Sequence, residues 1–119
     1  MVKPIYRKGS GDNMGKMSRE KGKRGERHWA ALCREYGFDC RRTAQFCGKT
    51  GEAADVVGIP GIHQEVKWVE SLNLRKAMAQ AERDCGENVP IVAHKKNGQE
   101  WLVTMRAVDW LEMMGGKKE

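Results

Sequence analysis

Two runs rich in β-branched residues, Asp55 to Ile59 and Ile62 to Val69, flank Pro60-Gly61, and no other part of the chain constrains its folding more. Pro followed by Gly marks a turn, and short Val/Ile runs on either side mark paired strands. Pairing about that turn opposes residues whose numbers sum to about 120, which sets Asp55 across from Glu65. Opposed side chains on antiparallel strands have Cβ atoms about 4.5–5.5 Å apart, so two carboxylates meet. Side chains alternate along a strand, and Lys67 leaves the same face as Glu65 about 6.5 Å further along. A slip of one residue would separate all three.

Adjacent carboxylates repel and raise one another's pKa unless a cation lies between them. A hard divalent ion resolves the conflict, and Mg²⁺ typically takes one or two protein carboxylates while keeping waters. Such an ion acidifies a bound water and stabilises charge on a phosphate oxygen. An ammonium beside it, Lys67, can orient that water or offset charge on the phosphorus transition state. This is the equipment of phosphodiester hydrolysis. The competing reading is a surface hairpin whose Glu65 and Lys67 merely flank a buried Val66, and the short pattern alone leaves both open.

The rest of the chain supplies a frame for that hairpin. A helix is expected from Ser18, a capping residue, to Gly37, with Trp29, Leu32, Cys33 and Tyr36 at i, i+3, i+4 and i+7. Phe38 to Ala44 reads as a short strand and residues 45–54 as a polar, Gly-bearing loop. A second helix should start near Ser71 or Asn73 and stop at Gly86. Two alternating runs, PIVAHKK and QEWLVTM, then flank Asn97-Gly98, a strong hairpin signal. A short helix over RAVDWLEMM precedes a GGKKE tail, giving the order αβββαββα.

At 119 residues this is one domain. The expected organisation is a flexible basic arm over 1–17, a folded domain over 18–114 and a disordered tail over 115–119. The formal net charge of +6 is unevenly placed, because residues 1–25 hold eight Lys or Arg against Asp12 and Glu20 while the remainder balances. Such an arm suits a polyanion, since each phosphate it neutralises releases counterions; a solvated tail is the plainer alternative. No apolar run approaches the roughly 18 residues of a membrane span, and the polar start lacks a secretory core. The expected location is therefore the cytoplasm, with Cys33, Cys40, Cys47 and Cys85 reduced.

Several features, taken together and in order, carry a resemblance: Gly25-Glu26-Arg27, Gly37-Phe38 followed by Arg41-Arg42, a Gly-Lys loop, Ala54-Asp55-Val56-Val57, and Glu65-Val66-Lys67. Over roughly residues 18–105 the chain resembles the PD-(D/E)XK restriction-endonuclease-like nucleases, and among them the archaeal-type Holliday junction resolvases and related phage enzymes. The resemblance implies an α/β fold, with an αβββαβ core and a mixed central sheet flanked by helices. It implies metal ligation by Asp55, Glu65 and the Val66 carbonyl, with Glu26 binding directly or through water, and it assigns Lys67 to the attacking water. The implied cofactor is Mg²⁺, with Mn²⁺ able to substitute. The implied partner is DNA, above all branched or four-way junction DNA, cut by a homodimer in a bacterial or phage-infected cell with no membrane involved. Two departures stand out: Ala54 replaces the usual Pro, and Cys47 stands near where resolvases tend to carry Ser.

Arg24, Arg27, Arg42, Gln45 and Lys49 are the candidates for gripping phosphates, against a reading of ordinary surface charge. Gln80 lies on the second helix, where many relatives carry a polar residue facing the site, against the plainer reading of a solvent-facing glutamine. His63 and His94 sit on no motif position and read as structural or exposed rather than as general bases. Cys33, Cys40, Cys47 and His28 lack the close Cys-x-x-Cys pair of a zinc site. Trp68, Trp101 and Trp110 read as core or interface residues. Two alternatives remain: a nuclease of the same fold acting on flaps, nicks or replication intermediates, and a non-catalytic DNA-binding module.

Overall fold

A computed structural model describes residues 10–43 and 54–119, with side chains from residue 19 onward. Its elements are α1 (Ser10–Glu35), β1 (Arg41–Arg42), β2 (Val56–Val57), β3 (Ile62–Trp68), α2 (Leu74–Asp84), β4 (Val89–Lys95), β5 (Leu102–Met105) and α3 (Ala107–Met113). The strands form one sheet in the order β1-β2-β3-β4-β5. Pairing is antiparallel except between β3 and β4, which run parallel. Parallel neighbours need a crossover, and α2 supplies it.

Val56 pairs with Gln64 across the β2–β3 turn, so the register is the one that opposes residue 55 to residue 65. Gly58 makes the approach to this turn possible. It has φ +131°, and a Cβ there would lie 2.5 Å from the Cys40 Cα and nearer still to the Asp39 carbonyl oxygen. Only a residue without a side chain fits.

The central strand β3 is covered on both faces. On one, α1 packs Trp29, Ala30 and Cys33 against Val56, Val66 and Ala93. Trp29 Nε1 donates to Gln64 Oε1 at 2.8 Å, which satisfies a fully buried amide oxygen. Gly25 lets the helix come close, because a Cβ there would stand 3.1 Å from the Trp68 Cβ. On the other face α2 packs Ala77, Met78 and Ala81 against Val92. Asn73 is the N-cap of α2, its side chain accepting from the Lys76 N–H at 3.1 Å.

Some boundaries differ from expectation. Helix α1 begins at Ser10 rather than Ser18, and the strand expected over 38–44 shortens to Arg41–Arg42. β1 is an edge strand that pairs only with the two-residue β2, so little of it can be laddered. Asn97-Gly98 do form the turn, closed by a Gln99 N–H to Lys96 carbonyl bond of 3.1 Å. His94 nevertheless pairs with Leu102, one residue beyond the register of a two-residue hairpin. Trp110 is 50% exposed on α3, so it belongs to no core. Among the described residues, no helix is long and apolar enough to cross a membrane.

Candidate active site

Asp55 stands one residue before β2 and is held at three points. Its N–H donates to the Gln64 carbonyl (3.0 Å), and its own carbonyl accepts from the Thr43 N–H (3.1 Å). Its carboxylate reaches across to β3, where Oδ2 accepts from the Val66 N–H at 2.9 Å. Because the N–H and C=O of a strand residue leave by the same edge, the Val66 carbonyl also points toward Asp55. Thr43 Oγ1 donates to the Ala54 carbonyl at 2.8 Å, which anchors the chain just before Asp55.

Glu65 continues the register opposite Asp55 and is 1% exposed. Its Oε1 lies 2.9 Å from His63 Nε2, and its Oε2 finds no hydrogen-bond partner among the described residues. Burial pushes the Glu65 carboxyl above the ordinary carboxylate range. The His63 bond opposes that rise, the negative Asp55 adds to it, and Lys67 offsets it in part. Glu26 comes to the same place from α1, its Oε1 accepting from Arg42 Nε at 2.8 Å. Burial also raises the Glu26 pKa, with Arg42 and Lys67 opposing and Asp55 reinforcing the rise.

Glu26, Asp55, Val66 and Lys67 line one cleft of ≈ 280 Å³, completed by Lys21, Gly22, Trp68 and Val69. A larger hollow of ≈ 630 Å³ lies further along α1, among Trp29, Leu32, Tyr36, Phe38 and Trp101. Its aromatic lining includes none of the clustered carboxylates, so the smaller cleft is where the chemistry gathers.

Among the described residues, no three His, Cys, Asp or Glu side chains make a ready metal cluster. The residues lining the cleft offer oxygen donors, the Asp55 carboxylate, the Val66 carbonyl and Glu26 with one oxygen engaged by Arg42, and the buried Glu65 carboxyl stands behind them, opposite Asp55 in the register. An all-oxygen set with few protein ligands suits Mg²⁺, which keeps several waters. The orphaned Glu65 Oε2, and two carboxyls that burial holds above their usual range, fit a place where a positive charge belongs.

Trp68, expected as a core or interface residue, lines the cleft. Its Nε1 donates to Asn97 Oδ1 at 2.8 Å, and its ring carries the Lys95 ammonium at 4.4 Å and the Arg24 guanidinium at 5.6 Å from the centroid. Lys95 is its register partner across the parallel β3–β4 pair. Nothing local in the sequence signals that pairing. Lys21, which the sequence also did not single out, lines the cleft and bonds Glu70 at 3.8 Å.

Of the other candidates, Arg42 touches a side chain that lines the cleft. Arg42 is engaged by Glu26, Arg27 is exposed on α1, and Gln80 is half-buried on α2. Gln45, Cys47 and Lys49 lie outside the described residues. His94 Nε2 meets Thr104 Oγ1 at 2.9 Å on the β4–β5 pair. Cys33 and Cys40 are buried free thiols, and burial, with Cys40 alongside, pushes Cys33 up to about 12.

No family model matches the chain, and no curated protein sequence does. Among solved structures it is similar to Archaeoglobus fulgidus Hjc, a Holliday junction resolvase from an archaeal hyperthermophile. The TM-score is 0.51 at 23% identity, over 71% of this chain and 72% of that one. The fold is restriction-endonuclease-like. In that restriction-endonuclease-like frame the mixed sheet lies between α1 and α2, as the resemblance implied. The likeness to that archaeal resolvase is thus one of architecture.

Proposed function

We propose that this chain is a Mg²⁺-dependent endodeoxyribonuclease of the PD-(D/E)XK type that hydrolyses phosphodiester bonds in branched DNA, with the four-way junction as its substrate. The observation that carries the reading is the gathering of Glu26, Asp55, Val66 and Lys67 around one cleft, with the buried Glu65 opposite Asp55 in the β2–β3 register. The cation would be held by Asp55, Glu65 and the Val66 carbonyl, with Glu26 binding directly or through water; Mn²⁺ suits the same oxygens. When bound, it supplies a more acidic attacking water and positive charge for a phosphate oxygen.

The chain's own residues supply the rest. The Val66 N–H holds one Asp55 oxygen and so fixes the orientation of the carboxylate. Lys67 Nζ donates to the attacking water and offsets the negative charge that grows on the phosphoryl oxygens. Arg24 and Lys95 at the cleft mouth, together with Arg27, Arg42, Gln45, Lys49 and the basic segment 1–17, meet backbone phosphates. The likeness to a Holliday junction resolvase favours a branched substrate. Two symmetric cuts call for two sites, so we infer a homodimer acting in the cytoplasm of a bacterial or phage-infected cell. The exposed apolar residues Leu102 and Val103 on the edge strand, and Val108 and Leu111 on α3, support such a partner.

The test is incubation of the wild type, Asp55→Asn and Lys67→Ala with labelled junction, flap and duplex DNA in Mg²⁺. The wild type should cut the junction preferentially, and each variant should lose about 10²–10³-fold in rate. Undiminished cutting by Asp55→Asn would overturn the assignment. Equal cutting of duplex and junction would point to a general nuclease, and binding without cutting to a DNA-binding module.

A further inference from the structure

His63 and Glu65 are two residues apart on β3, so both leave the face that α2 covers. They are 4% and 1% exposed, and His63 Nε2 lies 2.9 Å from Glu65 Oε1. An ionised carboxylate only accepts hydrogen bonds, so with Glu65 charged the shared proton sits on Nε2. As architecture alone this pair is a poor choice. Two polar groups lose their water in the middle of a sheet, and among the described residues the contact between them leaves Oε2 unsatisfied. An apolar pair of similar volume would pack the same space without that penalty. The burial makes sense if the remaining oxygen has a partner from outside the chain.

We propose that His63 is a positioning residue for the Glu65 carboxylate, holding Oε1 through its Nε2–H so that Oε2 is the oxygen presented to the cation. This role rests on the metal-site reading of Asp55 and Glu65 above. It also explains why a histidine outside the Glu65-Val66-Lys67 motif is buried beside it. His63 is not placed to act as a base, since it is sealed from solvent and its Nε2 is committed to Glu65. Its effect is to stop the carboxylate from rotating and from offering both oxygens equally. Carboxylate and carbonyl partners of metal-binding side chains commonly act this way, and losing one typically weakens metal affinity about 10–100-fold. Here the histidine is the partner and the carboxylate the ligand.

The test reads metal binding without DNA or cleavage: Mn²⁺ titration of the intact protein, following the free-ion electron paramagnetic resonance signal. His63→Ala and His63→Leu should bind Mn²⁺ about 10–100-fold more weakly than wild type. His63→Gln, whose amide N–H can still donate to Oε1, should retain most of the affinity. That rescue separates positioning from packing, which Leu preserves better than Gln. If His63→Ala does not fold, the Leu and Gln variants carry the comparison alone. Wild-type affinity in His63→Leu would overturn the proposal. A wild-type protein that takes up no Mn²⁺ would instead remove the metal reading itself, and a loss confined to Asp55→Asn would leave that reading standing without His63.

Discussion

Glu65→Gln should make the metal-free protein more stable while removing its response to Mg²⁺. Glu65 is a buried carboxyl with one oxygen bonded to His63 and the other, among the described residues, without a partner. An unsatisfied buried group costs about 1–3 kcal/mol, and more when charged. Gln keeps the shape and the acceptor facing His63 but replaces a charge-assisted bond by a neutral one, giving back about 1 kcal/mol. It also leaves a neutral donor, cheaper to bury, where the charged oxygen was, and it ends the repulsion from Asp55. The balance is a gain of about 1 kcal/mol, or about 3–6 °C in Tm for a chain of this size. Thermal unfolding at pH 8 in EDTA reads it. Adding Mg²⁺ at 100 times its Kd should then stabilise wild type by about 2.7 kcal/mol and the variant by well under 1, so the order of stability reverses. A Glu65→Gln protein less stable than wild type in EDTA, or equally stabilised by Mg²⁺, would refute the reasoning.

Replacing Arg24 and Lys95 together by Ala, in an Asp55→Asn background that binds without cutting, should weaken junction binding. The slope of log K against log salt should fall by about 1–2, read by fluorescence anisotropy, and an unchanged slope would show that these cations meet no phosphate. Gly58→Ala forces a side chain into the Asp39–Cys40 backbone at φ +131° and should destabilise by about 2 kcal/mol or more, seen as a lower urea midpoint. His94 is held below its ordinary pKa of 6.5 by burial, so the unfolded chain binds its proton first as pH falls. Its contribution is complete above pH 6.5 and declines below it, and His94→Gln should flatten the fall in urea midpoint between pH 7.5 and 5.

What was legible in the sequence shares a property: it is local. Pro60-Gly61 set a register that brings residue 55 across from residue 65, because a short turn leaves little freedom to slip. Asn73 marked the start of α2, as a residue whose side chain can take a first-turn N–H. The spacing of Trp29 and Cys33 marked the buried face of α1. The candidate carboxylates and Lys67 followed from strand alternation on that register. Their shared face is readable from the chain itself, because period two dictates which residues of a strand lie together.

The rest was decided by contacts between elements far apart in the chain. Burial of His63 and Glu65 depends on α2 closing over β3, and no residue near position 65 announces that closure. Arg42 turned out to be held by Glu26 across 16 positions, and Lys95 to lie on Trp68 through a parallel register that only the α2 crossover creates. The sequence by itself determined which groups stand next to one another along and across a tight hairpin. The tertiary structure decided which of them lose their water, and hence where a charge is costly enough to call for a cation, because desolvation is a property of everything packed around a group and not of its neighbours in the chain.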